Sequence, residues 1–420
     1  MASLHTLSNG VRVVCDPVPG LETVALSVVA GRGARHEDAA RSGWSHLMEH
    51  MVFKGAGDRS AREIVEVIEA QGGQINAATG YERTSFQIRA LSGGLDLGSA
   101  VLADLVQRPT LDEGDLAREK LVVGQEIAEA ADTPDDIVFE MAQEAAFEDQ
   151  PLGRSILGSD ASLAPATSRT LAEWRAALYA PDALVISASG AVDEDEVLKL
   201  AERDFGHVVG GGGATYAPAQ FTGGVRTGIK ALEQANLVFM LPTIGVAHDD
   251  YFALRLFSEI LGGGMASRLF QEAREKRGLA YAVDAYSETY EDQGVLGVFA
   301  GCAAKDAAEL AAVAAQEIIG LASRVEPQEL SRAKAQLKAG LFMARESPLA
   351  RAEQSAAQVL LFGRLLTTAE ISREIDQVEA ADLARIGAGL LAPGRAAVSV
   401  LGPKSAIKAA EAFRRALDAG

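Results

Sequence analysis

Six histidines occur in 420 residues, and two of them stand four apart in His46-Leu47-Met48-Glu49-His50. On an α-helix that spacing sets both imidazoles on one face, a single turn from each other. Two neutral imidazoles so placed can share one divalent ion. Zn2+ takes imidazole nitrogen readily, and a catalytic zinc site keeps one position for water. Glu49 is turned to the flank of the pair, close enough to take a proton from that water and pass it to a leaving amine. This is the inverted zincin pentapeptide, with the acid beside the second histidine. The same letters also describe a helix with two ordinary histidines, at a surface or satisfied in a core. A third ligand separates the two readings, and the richest source is the helical run Glu113 to Ala130, with Glu113, Glu119, Glu126 and Glu129. Glu119 and Glu126 are seven apart, on one face, among Leu121, Val122, Val123 and Ile127. A carboxylate on an apolar stripe is costly to bury without a partner, and a cation would be one. Periodicity does not choose between Glu119, Glu126 and Glu129.

The elements that must position these residues occur twice. In the first half a β-rich run, Thr23 to Ala30, leads to a helix around Trp44 to Phe53. A second helix, Ala61 to Ala70, stops at Gly72-Gly73 before two hairpin segments, Ile75 to Thr79 and Thr84 to Leu91. In the second half Leu237 to Leu241 is the strand, and Tyr251 to Leu261 and Ser267 to Lys276 are the helices. Gly278 is the stop, and Ala280 to Tyr286 and Val295 to Ala300 are the hairpin. Each copy continues with two long amphipathic helices, Leu95 to Val106 and Glu113 to Ala130, then Ala307 to Val325 and Pro327 to Arg345. Each ends on a strand, Ala183 to Ser189 and Ala396 to Leu401. This order predicts an α+β fold: two homologous α/β-sandwich-like domains, each an antiparallel-rich mixed sheet with helices on one face. The expected division is 1–207, a glycine-rich linker at 208–224 containing Gly210 to Gly213, and 225–420. Those glycines lack the Lys-Ser/Thr of a phosphate-binding loop. The second copy carries Arg255 and Glu259 near the place of the histidines and Gly340 near that of Glu126, so one metal ion per chain is expected.

Composition removes several classes. Apolar residues at 48% and charged residues at 23% are ordinary for a globular chain, which excludes a disordered one. Length alone implies two or three domains. With 39 basic against 58 acidic residues the net charge is -19, the wrong sign for a surface that neutralises phosphates. An acidic chamber or surface would instead favour basic peptides. Cys15 and Cys302 are the only cysteines, so no disulfide framework is expected. The first Lys or Arg is Arg12, no apolar core follows Met1, and the longest apolar stretch, Leu237 to Ala247, contains Pro242. A soluble cytoplasmic protein without a signal peptide or membrane contact is the expectation.

The stretch Gly43-Trp44-Ser45-His46-Leu47-Met48-Glu49-His50-Met51-Val52-Phe53-Lys54-Gly55 resembles the signature of the pitrilysin/insulinase family of zinc peptidases, in its mitochondrial-processing-peptidase-like branch. The resemblance extends to Leu7 through Val14, Gly72 through Ala77, Glu119 through Ile127 and Gly262 through Phe270, and so spans nearly the whole chain. It implies a zinc-dependent endopeptidase with His46, His50 and Glu126 as ligands and Glu49 as the base that activates zinc-bound water. Glu119 matches the acid that orients a ligand. Asn76 and Ala77 match the edge strand to which substrate peptide adds. Arg274 and Tyr281 match a pair in the non-zinc half that holds a substrate carbonyl or its oxyanion. Family members enclose peptides or unfolded segments between two bowl-shaped halves. One chain of this length supplies one half, so a homodimeric clamshell is implied. The other openings are a non-catalytic scaffold or partner subunit of the same fold, and a dedicated precursor-processing enzyme.

Overall fold

The computed structural model describes residues 2–210, 215–391 and 395–419. The first half runs β1 (Ser3–Thr6), β2 (Arg12–Pro17), β3 (Thr23–Ala30), α1 (Trp44–Val52), α2 (Ala61–Glu69), β4 (Gln74–Thr79) and β5 (Thr84–Leu91). It continues with α3 (Leu95–Gln107), α4 (Glu113–Asp132), α5 (Pro134–Ala146) and β6 (Leu184–Gly190). The second half runs β7 (Gly224–Ile229), β8 (Gln234–Thr243), α6 (Tyr251–Gly262), β9 (Ala280–Thr289) and β10 (Gly294–Ala303). Then follow α7 (Ala307–Ser323), α8 (Pro327–Ala344), α9 (Pro348–Phe362) and β11 (Ala397–Gly402).

The two sheets have one topology. The first is ordered β1-β2-β6-β3-β5-β4 and the second β7-β11-β8-β10-β9. In each, the first strand of the shared five lies parallel to its neighbour, β2 with β6 and β7 with β11, and the remaining pairs are antiparallel. Strand β1 is the one addition. The duplicated α+β architecture read from the sequence is therefore present.

Compact units do not follow the halves of the chain throughout. One comprises Met1–Ala128, Ser155–Ala217 and Phe342–Thr367, the other Glu129–Arg154, Pro218–Leu341 and Thr368–Gly420. The chain crosses between them at Ala217/Pro218, within the segment read as a linker, whose Gly211, Gly212 and Gly213 lie outside the described residues. The exchanged pieces carry α9 and α5. Helix α9 packs on β2, β3 and β6, and α5 packs on β7, β8 and β11. Each sheet thus has its own half's helices on one face and one helix from the other half of the sequence on the second.

Alternation along β3 shows why a second layer is needed. Val24, Leu26, Val28 and Ala30 enter the main core with Leu47, Met51, Phe86 and Leu102. Val29, with Val14 and Val185, turns the other way and is covered by Ala356 and Val359 of α9. That second interface is pinned by Arg351, whose Nε and Nη2 donate to both oxygens of the buried Asp16 at 2.7 Å. In the second unit, Ser399 Oγ donates to the Val138 carbonyl of α5 at 2.7 Å, and Phe139 stacks on Phe299.

One predicted helix differs in kind. Phe270–Lys276 is π-helical rather than α-helical. It ends where the Leu279 N–H reaches back to the Ala273 carbonyl at 2.8 Å, with Gly278 at φ +65 making the turn.

Candidate active site

Helix α1 is fixed before any ligand is considered. It begins at Gly43, whose φ is +88 and whose missing Cβ would lie 2.5 Å from the Leu157 carbonyl. No other residue fits that turn without movement. The N–H groups of Gly43 and Ser45, which a helix start leaves without partners, donate to the buried Glu37 carboxylate at 2.8 and 2.6 Å. Leu47, Met48, Met51 and Val52 are fully buried, and the Trp44 indole N–H donates to the Ser162 carbonyl at 2.9 Å. With that face committed to the core, His46, Glu49 and His50 are presented together on the other flank.

Helix α4 supplies the carboxylates. Its buried stripe is Leu116, Glu119 and Val123, while Leu121 and Val122, expected beside the glutamates in the core, are exposed. Glu126 follows one turn on, half-buried; Glu129 is exposed and outside the cluster. One ligand atom each from His46, His50 and Glu126 lie within 4.8 Å of one another. Glu126 Oε2 is 3.7 Å from His46 Nε2 and 3.4 Å from His50 Nε2. Ligands at about 2.1 Å from a tetrahedral zinc stand about 3.4 Å apart, so the observed pairs match that requirement. Glu126 Oε2 is buried without a hydrogen-bond partner, a state that a cation would resolve. The imidazole of His46 is kept neutral, its pKa pushed down to about 4 by burial and by the neighbouring His50. Neutral imidazole is the form that binds metal. The donors present therefore fit a zinc ion.

The remaining groups surround this triad. Glu119, 6% exposed at its side chain, approaches His50 Nδ1 at 3.2 Å and takes an ion pair from Lys54 at 2.9 Å. That carboxylate fixes the ring so that Nε2 points to Glu126. Burial raises the Glu49 pKa, with repulsion from Glu126 adding to it, against hydrogen bonds from Thr79 and the attraction of His50. Thr79 Oγ1 donates to Glu49 Oε2 at 2.5 Å. Neither Thr79 nor Lys54 stands out in the sequence. Thr79 differs from any strand-end threonine only in following Ala77 by one pleat.

Asn76 and Ala77 lie on β4, which forms the edge of its sheet and pairs with β5. Asn76 is exposed and Ala77 half-buried. Beside them opens a cavity of about 710 Å3 lined by Phe53, Val65, Ile75, Asn76 and Leu349, among others. Arg274 and Tyr281 belong to the second unit. The Arg274 guanidinium lies 4.6 Å from the Phe270 ring centre on the π-helical segment. Tyr281 is 62% exposed and is the extra residue of a β-bulge between Ala280 and Ala282, a device that aims a side chain out of the sheet. On α6, Arg255 is hydrogen-bonded to the Tyr251 hydroxyl and Glu259 has its pKa raised by burial. Among the described residues, the His46/His50/Glu126 group is the one cluster with metal-ligating geometry. No helix is long and apolar enough to cross a membrane.

Comparison with known proteins adds three findings. Residues 12–160 match the model for insulinase, peptidase family M16, and residues 165–337 match the model described as the M16 inactive domain. A protein described as an uncharacterised zinc protease of Rickettsia bellii is 35% identical over 404 residues, covering 96% of this chain and 98% of its own. Among solved structures, a protease from Helicobacter pylori superimposes with a TM-score of 0.88 at 21% identity, over 96% of this chain and 99% of its own. A chain of complex III2 from Candida albicans gives 0.86 at 19% identity, over 99% of both. These two likenesses concern the fold alone.

Proposed function

The chain belongs to the insulinase family of peptidases, M16, and from that premise we propose that it is a zinc-dependent endopeptidase acting on peptides or unfolded segments. The observation that carries this reading is the meeting of His46 Nε2, His50 Nε2 and Glu126 around one point, with Glu49 beside them. Those three side chains would hold one zinc per chain. Bound there, the ion supplies Lewis acidity, polarising a peptide carbonyl and acidifying water near neutral pH.

The chain's own residues do the rest. Glu49 accepts the proton of the attacking water and returns it to the leaving amine; a carboxylate whose pKa is raised by burial is suited to both. Glu119 holds the His50 ring through Nδ1, and Lys54 balances its charge. Substrate adds as a strand to the open edge at Asn76 and Ala77, where main-chain bonds give affinity with little demand on sequence. Arg274 and Tyr281 hold the substrate carbonyl.

Two copies would pair as a clamshell of the processing-peptidase-like kind, each zinc site facing Arg274 and Tyr281 of the partner subunit. Against a non-catalytic scaffold role for the same fold stands the presence of every member of the metal and base set. The test is zinc content and peptide hydrolysis of wild type and Glu49→Gln. One zinc per chain in both, with turnover in wild type only, is expected. Undiminished turnover in Glu49→Gln would refute the base.

A further inference from the structure

Glu49 sits on a helix and the substrate edge on a strand, so something must set one against the other. Thr79 touches both. Its hydroxyl donates to Glu49 Oε2 at 2.5 Å. A hydroxyl held on a strand fixes the position of the carboxylate oxygen it bonds. Thr79 is also the last residue of β4, the edge strand that carries Asn76 and Ala77.

The main chain of Thr79 sets a register. Thr79 stands opposite Thr84 of β5. The Gly80 N–H donates to the Arg83 carbonyl at 2.7 Å, so the N–H and C=O of Thr79, one residue earlier, turn away from β5, toward the open side of the sheet. Along an antiparallel strand this direction alternates with every residue. Ile75 and Ala77, opposite Ile88 and Phe86, therefore turn their N–H and C=O groups to the same open side. A peptide that adds to β4 bonds to Ile75 and Ala77, and the next position in that row, about 6.8 Å on, is the one that grips Glu49.

We infer that Thr79 is a positioning residue that locks the proton-transferring carboxylate of Glu49 into register with the substrate strand on β4. This rests on the peptidase reading above and deepens it. The hydroxyl fixes the base, and the main chain of the same residue makes the base continuous with the row of groups that binds substrate. The peptide bond to be cut is thus set by main-chain register from β4, without recognition of a particular side chain.

Thr79→Val keeps the shape and removes the hydroxyl, and Thr79→Ser restores it. With a peptide substrate and zinc-loaded enzyme, Thr79→Val is expected to lower kcat by about 10–100-fold, the range for losing a hydrogen bond to a charged group. KM should stay within about threefold because the outward groups of Ile75 and Ala77 are untouched, and zinc content should remain that of wild type. Thr79→Ser should recover most of kcat. Thr79→Ala, read the same way, takes the place of the valine variant should that chain fail to fold. An unchanged kcat, a loss shared with zinc content, a rise in KM that accounts for the loss, or no recovery in Thr79→Ser would each overturn the role. Glu49→Gln, run alongside, separates the two claims. Turnover in that variant sinks the peptidase mechanism, whereas an inactive Glu49→Gln beside a fully active Thr79→Val sinks only the positioning role.

Discussion

Glu119 is buried beside one imidazole and one ammonium group, and its value lies in what it does to His50. Replacing it with Gln keeps the shape but loses the charge-assisted bond to Nδ1. The zinc dissociation constant of Glu119→Gln, read by competition with a chelator, should rise about 10–100-fold. Away from the metal site a different residue adds to acid sensitivity. His36, edge-on to Tyr216, has its pKa lowered to about 4 by burial and by Arg32. The unfolded chain takes up that proton near pH 6.5, so stability is full above pH 6.5 and falls as pH drops from there to about 4. Its share of the loss is on the order of 3 kcal/mol, and His36→Gln should reduce the fall in a denaturation-versus-pH curve over that range by this amount. The shared flank of His46, Glu49 and His50 was legible because four-residue spacing on a helix is a strong constraint. The choice of Glu126 over Glu119 and Glu129 was not legible from periodicity. Leu121 and Val122 mark the wrong face, since a long helix with a largely solvated surface tolerates apolar residues outside its buried stripe.

Whole elements carry the site through their packing. Gly43 begins α1 at a left-handed turn pressed against a carbonyl, so Gly43→Ala should lower stability by at least about 1–2 kcal/mol, seen as a lower urea midpoint. The exchanged helices are the feature that local sequence patterns conceal. Runs such as Thr23 to Ala30 predict strands of a sheet with helices on one face, and nothing local says that the first sheet has a second cover, from residues 348–362. Arg351 and Asp16 are 335 positions apart and meet only in the folded unit. Arg351→Met would leave the Asp16 charge buried without its partner and should cost about 3–5 kcal/mol by chemical denaturation. An unaltered midpoint would mean that the Arg351–Asp16 pair adds nothing to the hold on α9. The π-helical segment before Tyr281 was read as an ordinary helix, because one extra residue per turn leaves no mark on an apolar pattern this short.

At the scale of the molecule, elements recur in the same order and sheet topology in the two halves, while among the described residues only the first carries a His46/His50/Glu126 cluster. The proposed homodimer makes a mixing experiment decisive for that division of labour. Glu49→Gln and Arg274→Ala homodimers should each be nearly inactive. Equal mixing with exchange of subunits should restore about a quarter of wild-type activity, from the half of dimers that carry one intact site. If Arg274 served the zinc of its own chain, mixing would restore nothing. The central claim is narrower than any of this and can be read from the metal itself. Anomalous diffraction at the zinc edge on crystals of the active enzyme should place one zinc per chain, bonded to His46, His50 and Glu126. A zinc in working enzyme that lacks the Glu126 carboxylate among its ligands, or that lies elsewhere in the chain, would contradict the account.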